Sequence, residues 1–98
     1  MTINKNLNGS ELTLGLEGRL DTTTAPELET VIQNELSDVK ELVFDFKNLE
    51  YISSAGLRVL LSAQKIMNKN GNMKIINVND MITEIFEVTG FIDILTVE

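Results

Sequence analysis

Two adjacent serines are the residues of this chain best placed to carry chemistry. Ser53 and Ser54 follow an apolar run that predicts a strand, residues 41–46, and precede an amphipathic segment that predicts a helix, residues 55–69. They therefore fall where a helix begins, and a helix start presents unpaired backbone N–H groups and the positive end of the helix dipole. Such a position favours an anion, including a phosphate attached to one of the serines themselves.

The simplest alternative is that one serine serves only as the helix N-cap, a preference worth about 0.5–2 kcal/mol. Two features favour a modification site instead. Ala55 and Gly56 leave little side-chain bulk beside the serines, so another protein's active site can approach. Arg58 follows Ser54 by one helical turn, within reach of a phosphate there. A phosphate tolerated on an exposed helix start is costly to bury unpaired in an interface, so Ser54 is suited to control binding without controlling folding.

The residue inventory argues against an enzyme. The chain contains no histidine and no cysteine, so the usual imidazole base, thiol nucleophile and thiolate metal ligands are missing. A Ser-His-Asp triad cannot form, and no glycine-rich phosphate loop is present. We expect no catalytic residues, no cofactor and no resident metal.

One enzyme-like alternative stays open at this point. Asp21 and Asp45 are acidic residues that could surround a magnesium ion, as in phospho-receiver domains. The simpler role for Asp21 is to turn the loop that precedes Thr24.

The charge and length of the chain limit its partners. Ninety-eight residues suffice for one domain, 1–98, and a net charge of −7 disfavours nucleic acid and anionic membrane surfaces. No apolar run is long enough to span a bilayer and the N-terminus lacks a signal-peptide pattern, so we expect a cytoplasmic protein. Residues 51–79 nevertheless carry four basic residues and no acidic one, which makes the serine region locally basic.

Hydrophobic periodicity predicts an α/β domain with the element order ββαβαβαβ. Alternation of strands and helices implies a mostly parallel sheet, and an initial hairpin around Asn8-Gly9 makes the sheet of about five strands mixed, with the helices packed on it. A capping box at Thr24–Glu27 and a left-handed C-cap at Gly90 are also predicted. The predicted strands are 2–7, 11–17, 41–46, 73–78 and 92–97, and the predicted helices are 25–37, 55–69 and 80–88.

Several short segments, in this order and spacing, resemble the STAS domains of the bacterial anti-sigma factor antagonist family. The resemblance covers nearly the full length of the chain. The segments that carry it are Gly18-Arg19-Leu20-Asp21, Phe44-Asp45-Phe46-Lys47-Asn48-Leu49, Tyr51-Ile52-Ser53-Ser54-Ala55-Gly56-Leu57, Asn70-Gly71-Asn72-Met73 and Val88-Thr89-Gly90-Phe91.

The resemblance implies a role for each residue of the serine segment. The family pattern reads aspartate, serine, serine or threonine, then glycine, and the first hydroxyl after the aspartate is phosphorylated. By position, Ser53 replaces the aspartate, Ser54 is the phosphoacceptor, Ala55 replaces the second hydroxyl and Gly56 matches. Ser53 is the second choice of acceptor.

The resemblance also implies a partner-switching protein. The unphosphorylated form would bind an anti-sigma factor that is also a serine kinase, which frees the sigma factor, and phosphorylation would end the binding until a metal-dependent serine phosphatase reverses it. The free protein is expected to be a monomer or weak dimer. A second hypothesis is a STAS subunit of a transporter or lipid-trafficking complex, in which Ser54 is only a cap. The predicted contact rim comprises Asp21, Thr22, Ser53, Ser54, Gly56, Leu57 and Arg58.

Overall fold

Four strands form one mixed sheet in the computed structural model, which describes the whole chain. The first two strands pair antiparallel as a hairpin, and the third and fourth add in parallel, so the sheet order follows the chain order. The predicted mixed sheet is confirmed. The strands are β1 (Thr2–Asn8), β2 (Glu11–Leu20), β3 (Glu41–Ile52) and β4 (Asn72–Ile76).

Three α-helices connect or follow the parallel strands. They are α1 (Ala25–Glu35), α2 (Ser54–Asn70) and α3 (Asp80–Thr89), and each lies within two residues of its predicted bounds. No helix combines the length and apolar character that a membrane crossing requires.

A single hydrophobic core joins the helices to the sheet. Along β2, Leu12, Leu14 and Leu16 are buried, whereas the residues between them stay partly exposed. The helices contribute apolar stripes to the same cluster: Leu28 and Ile32 from α1, Leu60, Ala63 and Met67 from α2, and Ile82 and Phe86 from α3. Burial of each large side chain stabilises the fold by about 1.5–3 kcal/mol, so this packing holds the helices on the sheet.

Strand β3 extends beyond residues 41–46, the apolar run from which the strand is predicted. Asp45 pairs with Gly15, but Asn48 pairs with Glu17, so the register shifts between these two positions. Such a bulge interrupts the two-residue period of a strand. Buried Phe46 and Leu49 are consequently three residues apart. A second register shift, just after Leu49, places buried Ile52 a further three residues on, so the two-residue period is lost.

The predicted strand at 92–97 is wrong for most of its length. Gly90 adopts the predicted left-handed C-cap conformation, with φ 81°, and residues Phe91–Asp93 then form a 3₁₀ turn. The amides of Ile94 and Leu95 bond to the carbonyl of Phe91 at 3.0 and 2.9 Å, so local hydrogen bonds replace those of a sheet.

Only the last residues of the chain reach the sheet, beside the outer edge of β4. The amide of Ile75 donates to the Thr96 carbonyl and the amide of Glu98 donates to the Ile75 carbonyl, both at 2.9 Å. The predicted fifth strand is therefore reduced to one parallel bridge between Ile75 and Val97.

The N-cap of α3 ties this helix to the end of β3. The Asn79 Oδ1 accepts from the amide of Ile82 at 2.8 Å, and the Asn79 Nδ2 donates to the carbonyl of Leu49 at 3.1 Å. The Asn79 side chain thus satisfies one backbone amide in the first turn of α3 and one backbone carbonyl in the last part of β3.

We predict that Asn79→Ala lowers the free energy of unfolding by about 1–2 kcal/mol, because both hydrogen bonds are lost. Urea denaturation followed by circular dichroism measures the change. Asn34→Ala is the matched control, since Asn34 is exposed on α1 and makes no side-chain hydrogen bond. A loss of stability in the control equal to that of Asn79→Ala would contradict the assigned role.

Candidate functional site

The parallel pairing of β2 and β3 brings the two halves of the predicted rim together. The pairing ends at Leu20 and Ile52, and the amide of Ser53 donates to the Leu20 carbonyl at 2.9 Å. Parallel strands end at the same edge of a sheet, so the loop that begins at Asp21 lies beside the start of α2. The seven predicted rim residues therefore come from one corner of the molecule.

The two serines differ sharply in exposure. Ser54 is the first residue of α2 and is exposed. Ser53 occupies the N-cap position and its carbonyl accepts from the amide of Leu57 at 2.9 Å, but its Oγ is buried and makes no hydrogen bond. The Ser53 side chain therefore does not cap the helix, and Ser54 offers the accessible hydroxyl.

Two residues of the predicted contact rim, Gly56 and Leu57, lie beneath this surface. Both residues are buried. A Cβ on Gly56 would lie 2.7 Å from Leu20 Cγ and 2.8 Å from Ile52 Cγ1, distances that real Cβ atoms essentially never show. Gly56 thus allows the first turn of α2 to pack directly on the ends of β2 and β3.

Asp21 organises the loop between β2 and α1. Its Oδ1 accepts from the amide and the hydroxyl of Thr23, at 3.0 and 2.8 Å, and from the amide of Thr24 at 3.3 Å. The hydrogen bond from the Thr23 hydroxyl is the main cause that lowers the pKa of Asp21 below its ordinary value, despite opposing desolvation. Asp21 therefore remains a carboxylate in this turn, as the simpler of its two predicted roles requires.

The predicted capping box at Thr24–Glu27 is wrong. The Thr24 hydroxyl makes no capping bond to α1. It donates to the carbonyl of Arg19 and accepts from the amide of Asp21, both at 2.8 Å, so it closes the loop instead.

Arg19 and Tyr51 form a pair at this corner that sequence reasoning missed. They are partners in the β2–β3 register, and the Arg19 guanidinium carbon lies 4.5 Å from the centroid of the Tyr51 ring. The Arg19 Nε also lies 3.8 Å from Asp21 Oδ2. The pairing depends on the register after the β3 bulge, which no local pattern reveals.

A surface groove of about 450 Å³ runs between α1 and α2, next to Ser54. Thr22, Pro26 and Glu29 line one wall, and Arg58 and Lys65 line the other. Arg58 and Thr22 are exposed, and Arg58 forms none of the ion pairs in the structure. Helix α2 carries three basic residues and no acidic one, so its exposed face is positively charged.

The structure does not bring Asp21 and Asp45 together as a magnesium site. Asp45 pairs with Gly15, six residues before Asp21 along β2, which separates the backbones of the two aspartates by about 20 Å at the rise of a strand. The Asp45 Oδ1 accepts from the amide of Lys47 and from Asn77 Nδ2, both at 3.0 Å, and thereby supports the bulge. No group of three or more acidic side chains is arranged to hold a metal ion.

The STAS domain family matches residues 2–98. This chain is a member of the STAS domain family. The family assignment confirms the resemblance stated from the sequence motifs.

One named relative and two solved structures show which proteins this chain is similar to. The chain is 34% identical over 82 residues to an anti-sigma-B factor antagonist of Staphylococcus aureus, covering 82% of this chain and 76% of the relative. Two solved structures show the same fold at lower identity. One is the Bacillus cell fate determinant SpoIIAA in its phosphorylated form, with a TM-score of 0.69, 16% identity and coverage of 99% and 91% of the two chains. The other is a sulfate transporter family protein from Wolinella succinogenes, with a TM-score of 0.80, 20% identity and coverage of 95% and 80%.

We predict that Gly56→Ala destabilises the protein by about 1–3 kcal/mol, because the added methyl group overpacks the ends of β2 and β3. Thermal denaturation measures the loss. Gly15→Ala is the matched control, since its Cβ would lie 3.7 Å from Asn4 Cβ, an ordinary contact, and we expect a change within about 0.5 kcal/mol. Equal melting temperatures for Gly56→Ala and the wild type would contradict the close packing.

Proposed function

We propose that this protein is an anti-sigma factor antagonist that is switched by phosphorylation of Ser54. In its unphosphorylated form it binds an anti-sigma factor that is also a serine kinase, and this binding frees the sigma factor. Phosphorylation ends the binding, and a metal-dependent serine phosphatase restores it. The observation that carries the proposal is the exposed Ser54 hydroxyl at the first residue of α2, beside a Ser53 hydroxyl that is buried.

The named relative supports the general role. The Staphylococcus aureus protein is an anti-sigma-B factor antagonist, a regulatory protein rather than an enzyme, and the similarity extends over most of both chains. The fold alone does not decide between this role and that of a transporter subunit, because a sulfate transporter family protein has the same fold. The accessible hydroxyl favours the phosphorylated switch, since a serine that only caps the helix needs no exposure.

Local electrostatics support a phosphate on Ser54 in the free protein. The helix dipole stabilises an anion at the start of α2 by about 0.3–1 kcal/mol on an exposed surface. Arg58 lies one turn further along the same helix and is exposed without an ion-pair partner. Because Ser54 contributes no buried contact, its modification leaves the core intact.

A phosphate on Ser54 would weaken a complex that forms through this corner of the molecule. A contact over the α1–α2 groove and the Asp21 loop would bury Ser54, and phosphorylation adds about −1.5 to −2 charge at that point. Burying this charge without a partner costs several kcal/mol, and each ~1.4 kcal/mol changes affinity tenfold. Thr22 lines the neighbouring wall of the groove and is exposed, and Asp21 precedes it in the loop, so both would lie in such a contact.

We predict that Ser54→Ala folds normally and binds the kinase partner persistently in the presence of ATP. Ser54→Asp should bind at least about tenfold more weakly, because even one buried charge is costly. Isothermal titration calorimetry with the purified kinase measures both affinities. Mass spectrometry of the wild-type protein after incubation with kinase and ATP should locate one phosphate on Ser54.

Two variants serve as controls for this experiment. Ser53→Ala should retain phosphorylation and stability, because the Ser53 hydroxyl is buried and makes no hydrogen bond. Ser37→Asp adds the same charge at an exposed site beyond the C-terminal end of α1 and should bind as the wild type does. Equal affinities of Ser54→Ala and Ser54→Asp would reject the switch and favour the transporter-subunit role.

We predict that Arg58 stabilises the phosphorylated form. The second pKa of a phosphoserine is about 6, and a cation one turn away lowers it by about 0.2–0.4 unit, the equivalent of a 0.3–0.5 kcal/mol helix pair. Titration of phosphorylated Arg58→Ala by ³¹P NMR should show the corresponding rise. Lys69→Ala, which removes a cation from the last turn of α2, is the control, and identical titrations of the Arg58→Ala and Lys69→Ala proteins would exclude an Arg58–phosphate interaction.

A further inference from the structure

Helix α3 presents an apolar line to solvent beside the stripe that it buries. Ile82 and Phe86 face the core, whereas Met81 and Val88 are 50% and 79% exposed. Met81, Ile85 and Val88 are spaced four and three residues apart, so they lie along one side of the helix, and Ile85 between them is half-buried. We call these three residues the α3 line.

Large apolar side chains are otherwise scarce on the surface. Four are exposed in the whole chain: Leu7, Met81, Val88 and Ile94. Three of these four fall within the last eighteen residues, on or just after α3. Ile82 and Phe86 already anchor α3 in the core, and of the α3 line only Ile85 packs against that core, so Met81 and Val88 are left to solvent. Clustered exposed apolar side chains of this kind mark interaction surfaces.

The chain segment that carries the α3 line is acidic. Residues 80–98 contain five acidic residues and no basic one. Glu84 follows Met81 by three residues and precedes Val88 by four, so it borders the line directly. Of the five carboxylates only Glu98 has an ion-pair partner, Lys74 at 3.7 Å.

We propose that the α3 line and its flanking carboxylates form a second docking surface, which binds an amphipathic helix with Lys or Arg residues beside an apolar stripe. Such a helix packs its stripe on Met81, Ile85 and Val88 and places its cations near Glu84 and Glu87. Charge favours this occupant, because a second copy that docked through its own α3 line would oppose like charges and an anionic membrane would be repelled. The surface differs in charge from the Ser54 corner, where the exposed face of α2 is basic.

The test uses two synthetic helical peptides with the same leucine stripe and different polar faces. One carries lysine and the other glutamate, and each is labelled for fluorescence anisotropy with the full-length protein. We expect the lysine peptide to bind at least tenfold more tightly than the glutamate peptide, and its affinity to fall as salt is raised. Equal binding of the two peptides would overturn the charge assignment.

Paired variants locate the binding site. Met81→Ser/Val88→Ser should weaken the lysine peptide at least tenfold, and Glu84→Gln/Glu87→Gln should weaken it and reduce the salt dependence. Leu7→Ser is the control, because Leu7 lies on β1 and its exposed fraction, 62%, falls between those of Met81 and Val88. This variant should bind the lysine peptide as the wild type does. All of these positions are exposed, so circular dichroism spectra should remain unchanged.

Three results would overturn the proposal. The first is wild-type peptide affinity in Met81→Ser/Val88→Ser. The second is a protein dimer in analytical ultracentrifugation that this double variant dissociates, which would make a second copy the occupant. The third is binding to phosphatidylcholine vesicles that the double variant abolishes, which would make the occupant a lipid surface. None of these measurements involves Ser54, so their outcome is independent of the proposed switch.

Discussion

The contact between the first turn of α2 and the ends of β2 and β3 is the constraint on which the functional corner depends. Gly56 sits so close to Leu20 and Ile52 that no side chain fits between them. This approach sets where the helix begins, and it is reinforced by the hydrogen bond from the amide of Ser53 to the Leu20 carbonyl. Ser54 is exposed because Gly56, two residues later, is buried. Ser54, the proposed phosphoacceptor, is thereby presented on a rigid helix end rather than on a loop. Such a position would suit a residue that has to reach a kinase active site and carry a charge.

The molecule combines two surfaces of opposite character on one small core. The exposed face of α2 is basic and polar, and it borders a groove shaped by α1. The surface of α3 is apolar and acidic. Neither surface contributes the large buried side chains that hold the fold, so each is free to change its chemistry without loss of the core. In a chain of 98 residues, this division keeps the two proposed recognition surfaces apart from the residues that stabilise the core.

The spacing of apolar residues was sufficient to predict the three helices and the initial hairpin. The helices and the hairpin emerged close to their true bounds because their apolar residues repeat at helical or strand spacing. Two failures have local causes. The bulge after Asp45 breaks the strand periodicity, so the second half of β3 could not be predicted from it. The left-handed conformation of Gly90 directs the following residues into a 3₁₀ turn instead of a strand. At the candidate site, the motif order located the serines, but burial of Gly56 and the stacking of Arg19 on Tyr51 depend on strand register, which is a property of the folded sheet.

The C-terminal bridge to β4 has a consequence for the motions of the domain. Thr96 and Glu98 are joined to Ile75 by two backbone hydrogen bonds, with one solvent-exposed ion pair from Lys74 to Glu98. Segments held by so few bonds open at little free-energy cost, and their amides exchange with solvent long before those of a central strand. Detachment of this tail bares the free edge of β4, whose Met73 and Ile75 are otherwise buried. Detachment of the tail therefore turns the β4 edge of the sheet into a place where transient β-pairing with another chain can start.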